Sequence, residues 1–342
     1  MKTSWTRFII PALLPVLAVP WSIRGTPGMN RLKVLDRLAE NVATPDYEIP
    51  TGARFILLAA YSGWLGPINE VRMLPSDELD AYLAELETDG KTAFFGLAGI
   101  PGTGDVLVIS APRPACLPAE VPRRTNPGET ATLRLEGFDE LSDPAVAVAT
   151  PEMEVFRLQP REDGSLSFET REIGVYWVEV MQASPSGPSV ELLFPVVCGG
   201  DILDAIYGDM RVPCSSASCI GEILKELNDL RLSMHMEPLA RDPALDETAS
   251  TKAAETACTD DFRIDIRKPE KPLPPGTGTF AENTGTGKGF QEAWSMIILS
   301  PFHLETCLSP EFNRIGMGAA VENDDYRWRL VLVQILAGGS AN

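Results

Sequence analysis

Two hydrophobic periods alternate along the chain. Before about residue 112, and again from Ser218, apolar residues recur every three or four positions, which predicts amphipathic helices with strands between them. Between Cys116 and Cys198 the period falls to two, in short segments separated by Pro, Gly and Asp-Gly turns, which predicts strands. The pattern therefore predicts an α+β multidomain protein with a β-rich middle.

The N-terminal pattern predicts a small α+β module over residues 30–112. Leu32, Leu35 and Leu38 form one apolar stripe, and a second helical stretch with acidic residues in its first turn follows Ser76. Two apolar segments, "TAFFGLAGI" and "DVLVIS", flank the Gly-rich "PGTG" and predict two strands joined by a turn. No pattern of catalytic residues occurs in this module.

The middle of the chain, residues 116–198, predicts a β-sandwich. In "GVYWVEV", Tyr176 and Val178 lie on one face of the predicted strand, and Trp177 and Glu179 lie on the other. The segment resembles the G-x-Y-x-V corner of immunoglobulin-like sandwiches. That resemblance implies an immunoglobulin-like domain that serves as a spacer or a binding module. Residues 199–217 are predicted to form a linker.

The C-terminal pattern, residues 218–340, predicts helices followed by a hairpin. A long apolar stripe begins at Ile220, a second helix begins at the cap-plus-proline pair Asp242-Pro243, and a third stripe begins at Phe290. Ser300-Pro301 repeats the cap-plus-proline start for a short helix that carries His303. Two strands, "RIGMGAAV" and "YRWRLVLVQIL", then flank "ENDD", so we expect a layered domain of helices on a sheet.

Composition and charge narrow the class of protein. The chain is 44% hydrophobic and 23% charged, which is typical of a folded globular protein. Its formal net charge of -19 repels phosphate backbones and anionic lipid surfaces. We therefore expect no nucleic-acid partner and no binding to an anionic membrane surface.

The first residues, 1–28, have the pattern of an export signal. Lys2 and Arg7 form a positive region that precedes the apolar run "FIIPALLPVLAVPW". This run is shorter than the roughly 20 residues that a membrane-spanning helix needs, and three prolines interrupt it. We expect a signal peptide, with an uncleaved N-terminal anchor as the alternative, and an extracellular or periplasmic location.

Six cysteines fit that compartment, because an even number in an exported chain predicts disulfides. The candidates are Cys116, Cys198, Cys214, Cys219, Cys258 and Cys307. Cys116 and Cys198 bracket the sandwich, so a disulfide between its first and last strands is expected, whereas the remaining connectivity stays open. The spacing in "CSSASC" does not form the paired CxxC of a zinc site.

Three motifs in the C-terminal region resemble the SCP-like CAP superfamily (cysteine-rich secretory, antigen five and pathogenesis-related proteins) of bacterial type. They occur in order as "LNDLRLSMHMEPLARDPALDETA", "AENTG" and "SPFHLETCLSPEFNRIGMGAA". The resemblance covers about a third of the chain. It implies an α-β-α sandwich of CAP type.

The resemblance also implies candidate site residues, because family members often carry two histidines and two glutamates in a cleft. His303 matches the second histidine and Glu282 the first glutamate, with Asn283 beside it. The other two do not appear: Ile297 stands where the second glutamate belongs, and Asp265 falls nearest the first histidine. His235 lies outside this set and is predicted to end a helix.

Because only one histidine and one glutamate of the four cleft residues are present, the chemistry that we expect at this site is limited. A catalytic zinc ion needs three protein ligands and an open position, so a divalent metal would require His303, Glu282 and Asp265 together, with Asp260 or Asp261 as rivals for Asp265. We therefore expect no cofactor. A His-Glu pair that faces a cleft could still perform acid–base catalysis, so His303 and Glu282 are also the catalytic candidates.

Our functional hypothesis is an exported, non-catalytic cell-envelope or extracellular binding protein that uses a cleft around Glu282 and His303. Its partner would be an envelope glycan, lipid or protein. One alternative is a metal-assisted hydrolase that acts on peptide or cell-wall polymer. The other is a structural envelope protein whose cleft is vestigial.

Overall fold

A computed structural model gives the fold of the chain. It describes residues 29–43, 52–122, 124–184, 187–207, 215–258, 278–324 and 327–339. The predicted signal segment, Cys214 and Asp265 lie outside these ranges. Within them the chain is an α+β protein with four β-sheets, and no helix there is both long and apolar enough to cross a membrane.

The N-terminal part packs three helices on a four-stranded sheet of order β1-β3-β4-β2. Its elements are β1 (Asn30–Arg31), α1 (Lys33–Val42), α2 (Gly52–Ser62), β2 (Glu70–Pro75), α3 (Leu79–Asp89), β3 (Phe94–Gly99) and β4 (Asp105–Ala111). The predicted helices α1 and α3 and the predicted strands β3 and β4 are confirmed, whereas the sequence analysis did not identify α2 or β2.

The middle part is a sandwich of two sheets. Its strands are β5 (Leu117–Glu120), β6 (Arg124–Thr125), β7 (Glu129–Glu136), β8 (Ala145–Ala149), β9 (Val155–Leu158), β10 (Leu166–Thr170), β11 (Gly174–Ser184) and β12 (Gly187–Cys198). The sheets have orders β10-β7-β5 and β6-β12-β11-β8-β9, and their facing side chains form one apolar core.

A tyrosine fixes one corner of this sandwich. The Oη atom of Tyr176 accepts hydrogen bonds from the backbone N–H groups of Arg171 (2.8 Å) and Glu172 (2.9 Å). This is the pattern of the tyrosine corner in immunoglobulin-like domains. The two-sheet architecture is confirmed, and its assignment to the immunoglobulin-like class stays a prediction that this corner supports.

The expected disulfide between Cys116 and Cys198 is not formed. Both thiols are free and lie buried in the sandwich core, where burial raises the pKa of Cys116 to about 12. Three more cysteines, Cys219, Cys258 and Cys307, are free as well. A buried neutral thiol packs as a small apolar side chain, so the sandwich core uses its cysteines as apolar residues.

The C-terminal part, which follows the short helix α4 (Ile202–Tyr207), is an α-β-α sandwich. Its elements are α5 (Ile220–Ser233), β13 (Ala240–Arg241), α6 (Pro243–Ala257), β14 (Thr279–Gly287), α7 (Phe290–Leu299), α8 (Pro301–Cys307), β15 (Arg314–Asp324) and β16 (Arg327–Gly338). The sheet has order β13-β15-β16-β14. Alternate residues of β16 face opposite layers: Val331 and Val333 pack with α6, and Leu330 and Leu332 pack with α5 and α7.

The predicted linker, residues 199–217, contains the helix α4. Its residues Ala205 and Ile206 belong to a large apolar core that also includes Leu35 of α1, Trp177 of β11 and Leu304 of α8. The outer face of the five-stranded sheet is therefore covered by helices from both ends of the chain. This core joins the three parts.

Two glycines in "RIGMGAA" allow α6 to lie directly against β15. A Cβ atom on Gly316 would lie 2.1 Å from the backbone carbon of Leu245, and one on Gly318 would lie 2.2 Å from the backbone N of Ser250. Both contacts are with the helix backbone, which cannot rotate away. The glycine motif therefore sets the spacing between helix and sheet.

We predict that Gly316→Ala destabilises the protein by about 1–3 kcal/mol, because the added methyl group must push α6 away from the sheet. Urea unfolding, monitored by circular dichroism, measures the loss. Gly99→Ala is the matched control, since a Cβ atom at Gly99 meets nothing within 4 Å. Equal stability of the two variants would contradict the close packing.

Candidate functional site

Helix α8 positions His303. The Ser300 side chain caps the helix by accepting a hydrogen bond from the backbone N–H of His303 (3.3 Å), and Pro301 occupies the first turn, as predicted. The Nδ1 atom of His303 is buried and has no hydrogen-bond partner in the described part of the chain. Burial lowers the pKa of His303 to about 4, so the imidazole is neutral at pH 7.

Glu282 and Asn283 occupy adjacent positions of β14 and therefore point to opposite faces of the sheet. Asn283 faces α8: its Nδ2 atom donates to the carbonyl oxygen of His303 (3.2 Å), to Cys307 Sγ (3.3 Å) and to Gln334 Oε1 (3.4 Å). The structure therefore brings Asn283 to the helix that carries His303. The Asn283 side chain is buried and serves to link β14, β16 and α8.

Glu282 has a different partner. Its carboxylate forms an ion pair with the Nζ atom of Lys252 on α6, and only 4% of the Glu282 side chain is exposed. No hydrogen bond or ion pair joins Glu282 to His303 among the described contacts. The charge of Glu282 is thus balanced within the domain by an ammonium group.

Of the residues proposed as metal ligands, only Glu282 and His303 lie in the described part of the chain. Glu282 is already neutralised by Lys252, and a second cation at the same carboxylate would be repelled by the ammonium group. The third candidate, Asp265, and its rivals Asp260 and Asp261 lie outside the described residues. Among the residues that are described, no group of three His, Cys, Asp or Glu side chains could hold a metal ion.

Two side chains of the first motif, Asn228 and Arg231, have structural roles. The Arg231 guanidinium is buried and donates to four backbone carbonyls, those of Glu237 (2.8 Å), Cys307 (2.7 Å), Ser309 (3.1 Å) and Phe312 (3.2 Å). The Asn228 side chain bonds to the backbone N–H and carbonyl of Leu239. These bonds hold the end of α8 and the start of β15 against α5.

His235 lies just beyond α5, exposed and with a φ of 59°, where the sequence predicted a helix end.

Two important residues were not identified from sequence. Lys252 follows Leu245 and Ala249 at helical spacing, so a charged residue on the buried stripe of α6 was a usable signal. Glu179 accepts hydrogen bonds from Ser300 and Phe302 at the start of α8. The sequence placed Glu179 on the outer face of its strand, but nothing in the pattern showed that α8 covers this face.

We predict that the Lys252–Glu282 pair is structural. Lys252→Met leaves a buried carboxylate unpaired and should cost about 3–5 kcal/mol of unfolding free energy, whereas Lys252→Met/Glu282→Gln should recover a large part of that loss. Chemical denaturation measures both. Lys225→Met is the control, because it breaks the exposed Lys225–Asp229 pair and should leave the unfolding free energy nearly unchanged. A double variant no more stable than Lys252→Met would contradict the pairing.

We also predict a pH dependence that arises from His303. Its pKa is about 4 when folded and 6.5 when exposed, so the unfolded chain takes up the proton first as the pH falls. Stability should fall by about 1 kcal/mol per pH unit from pH 6.5 toward about 4, relative to His303→Gln. Thermal unfolding across this window measures the difference. His235→Asn is the control and should follow the wild type; identical profiles for His303→Gln and wild type would contradict the burial of His303.

Parts of this chain are similar to a known family and to solved structures. Residues 224–336 match the family model of CAP, the cysteine-rich secretory protein family. The solved structure of an outer surface protein from Borrelia burgdorferi aligns at 16% identity with a TM-score of 0.27, over 34% of this chain and 90% of that chain.

A second solved structure, a cysteine-rich secretory protein from Staphylococcus aureus subsp. aureus Mu50, aligns at 11% identity with a TM-score of 0.26, over 61% of this chain and 75% of that chain. No curated protein matches the chain. The family match extends from within α5 to the end of β16 and includes all three motifs. The C-terminal domain of this chain is a CAP domain of the SCP-like type.

Proposed function

We propose that the protein is an exported, non-catalytic CAP-domain protein that binds a component of the cell envelope. One observation carries the non-catalytic part: the Glu282 carboxylate is paired with Lys252, the Asn283 side chain bonds to the backbone of α8, and the Nδ1 atom of His303 is buried.

Acid–base catalysis makes demands that these residues do not meet. A general acid or base needs a pKa near the working pH and access to the substrate. His303 has a pKa of about 4 and a buried Nδ1 atom, so it neither donates a proton at pH 7 nor accepts one readily. Glu282 is almost completely buried, and its carboxylate already holds a cation. This arrangement argues against the hydrolase alternative.

Binding is the role that the rest of the chain favours. The signal-like pattern of residues 1–28 favours export of the protein. A β-sandwich beside the CAP domain supplies a second surface for contact. The net charge of -19 disfavours polyanionic ligands, so a neutral or cationic glycan, lipid or protein fits best.

The structural alternative also has an observation in its favour. The helix that carries His303 is packed against the sandwich: Leu304 lies in the core that includes Trp177, and Arg157 of β9 pairs with Glu305 (2.9 Å). A CAP domain fixed in this way could act as a rigid part of an envelope assembly. A measurement of ligand binding distinguishes this structural role from the proposed binding role.

We predict that the purified protein releases no soluble fragments from isolated peptidoglycan or from casein, with or without added Zn²⁺, because Glu282 is paired with Lys252 and is not joined to His303 in the described part of the chain. His303→Gln is the matched variant and should behave identically. Turnover by the wild type that is lost in His303→Gln would overturn the non-catalytic proposal.

Cosedimentation tests whether the protein binds a component of the cell envelope. The protein is sedimented with the same peptidoglycan and with phosphatidylcholine vesicles, and we expect it to cosediment with at least one of them. Vesicles rich in phosphatidylserine serve as the anionic control and should retain less protein, because like charges repel. Failure to cosediment with any of them would favour the structural role.

A further inference from the structure

Glu179 is a buried carboxyl group at the junction of two domains. It lies on the outer face of β11, is 1% exposed, and reaches across to the start of α8. The Ser300 Oγ atom donates to its Oε1 and Oε2 atoms (2.9 and 2.8 Å), and the Phe302 backbone N–H donates to Oε2 (3.0 Å). The sandwich thus supplies the side chain that holds the first turn of a CAP-domain helix.

No cation is among the hydrogen-bond partners of Glu179 in the described part of the chain. Helix α8 and the neighbouring strands β8 and β9 carry four ionisable groups, namely Arg157 on β9 and His303, Glu305 and Cys307 on α8. The Cys307 thiol contacts Asn283. Arg157 forms a two-bond ion pair with Glu305, and His303 is neutral at pH 7. The acidic residue of β12, Glu191, bonds to Gln182 instead. Neutral donors alone therefore face the Glu179 carboxyl group.

Helix α8 makes further contacts across this junction. Besides the Arg157–Glu305 pair, the Arg157 guanidinium lies 5.3 Å from the ring centre of Phe302, and Leu304 packs in the core around Trp177. Docking of α8 on the sandwich therefore depends on a few apolar contacts, one exposed ion pair and the Glu179 carboxyl group. Of these contacts, the one made by the buried Glu179 carboxyl group is the one that depends on whether the group is protonated or ionised.

We propose that Glu179 is a pH-sensitive latch between the β-sandwich and the CAP domain. When the carboxyl group is protonated, it is a neutral hydrogen-bonding group that suits the buried junction. When it is ionised, the junction holds an uncompensated charge, and undocking of α8 returns that charge to water. The latch thus closes in acid and loosens as the pH rises.

The direction of the effect follows from the two states of the carboxyl group. Burial, opposed by the bonds from Phe302 and Ser300, raises the pKa of Glu179 from the ordinary 4.5 to about 7. An undocked Glu179 regains its ordinary pKa. The stabilisation is therefore complete below pH 4.5 and is lost as the pH rises to about 7.

Hydrogen exchange of the full chain, corrected for intrinsic rates, tests the latch. In a His303→Gln background, which removes the opposing titration of His303, the opening constant of residues 299–308 should rise roughly tenfold per pH unit across that window and then level off. Glu179→Gln, which keeps a neutral hydrogen-bonding group, should abolish this rise. Glu162→Gln, an exposed carboxyl group on the same sandwich, is the matched control and should keep it.

A second measurement remains decisive if Glu179→Gln does not fold. Ser300→Ala removes the Oγ–H donor that favours the ionised form of Glu179, so the pH at which the rise levels off should move upward. Carbon-13 labelling of the glutamate carboxyl groups should reveal one resonance that titrates near pH 7 in the wild type. A flat exchange profile in the His303→Gln background, or the absence of such a resonance, would overturn the latch.

Discussion

Helix α8 is held from two sides, and much of the molecule depends on that double attachment. From within its own domain, Asn283 bonds to the carbonyl of His303, and Arg231 bonds to the carbonyl of Cys307. From the sandwich, Glu179 holds its first turn and Arg157 holds Glu305. Because a helix of two turns has little stability of its own, these tertiary contacts fix where it lies. They also fix how the CAP domain sits on the rest of the chain.

The same contacts explain why recognisable motifs do not amount to an active site. Asn228 and Arg231 hold loops, Gly316 and Gly318 allow close helix packing, and Asn283 links strands to α8. Each of these residue types is needed by the fold. The carboxylate proposed as a site residue, Glu282, is balanced by Lys252, so its charge is satisfied without a substrate or a metal.

Two buried ionisable groups lie on either side of the first turn of α8, and they respond to pH in opposite ways. Burial lowers the pKa of His303 and raises that of Glu179, because each group is disfavoured in its charged form. Acid therefore destabilises the domain through His303 while it strengthens the junction through Glu179. The two effects partly cancel in overall stability, so variants of each residue are needed to separate them.

The sequence by itself determined the local structure and the family of the C-terminal domain. Period-two alternation identified the sandwich strands, and the cap-plus-proline pairs at Asp242 and Ser300 identified the starts of α6 and α8, because these signals act within a few residues. The two helix-facing layers of the CAP sheet follow from the same alternation.

Only the tertiary structure decided which side chains meet. Sequence predicted Glu282 beside His303, whereas the pleat of β14 turns Glu282 toward Lys252 and Asn283 toward α8. Sequence predicted a disulfide between Cys116 and Cys198, whereas both thiols are free and pack in an apolar core. The alternation placed Glu179 on the face of its strand opposite Tyr176, and the structure shows that α8 covers that face. Periodicity gives the face of an element on which a residue lies; what covers that face depends on contacts between residues more than a hundred positions apart.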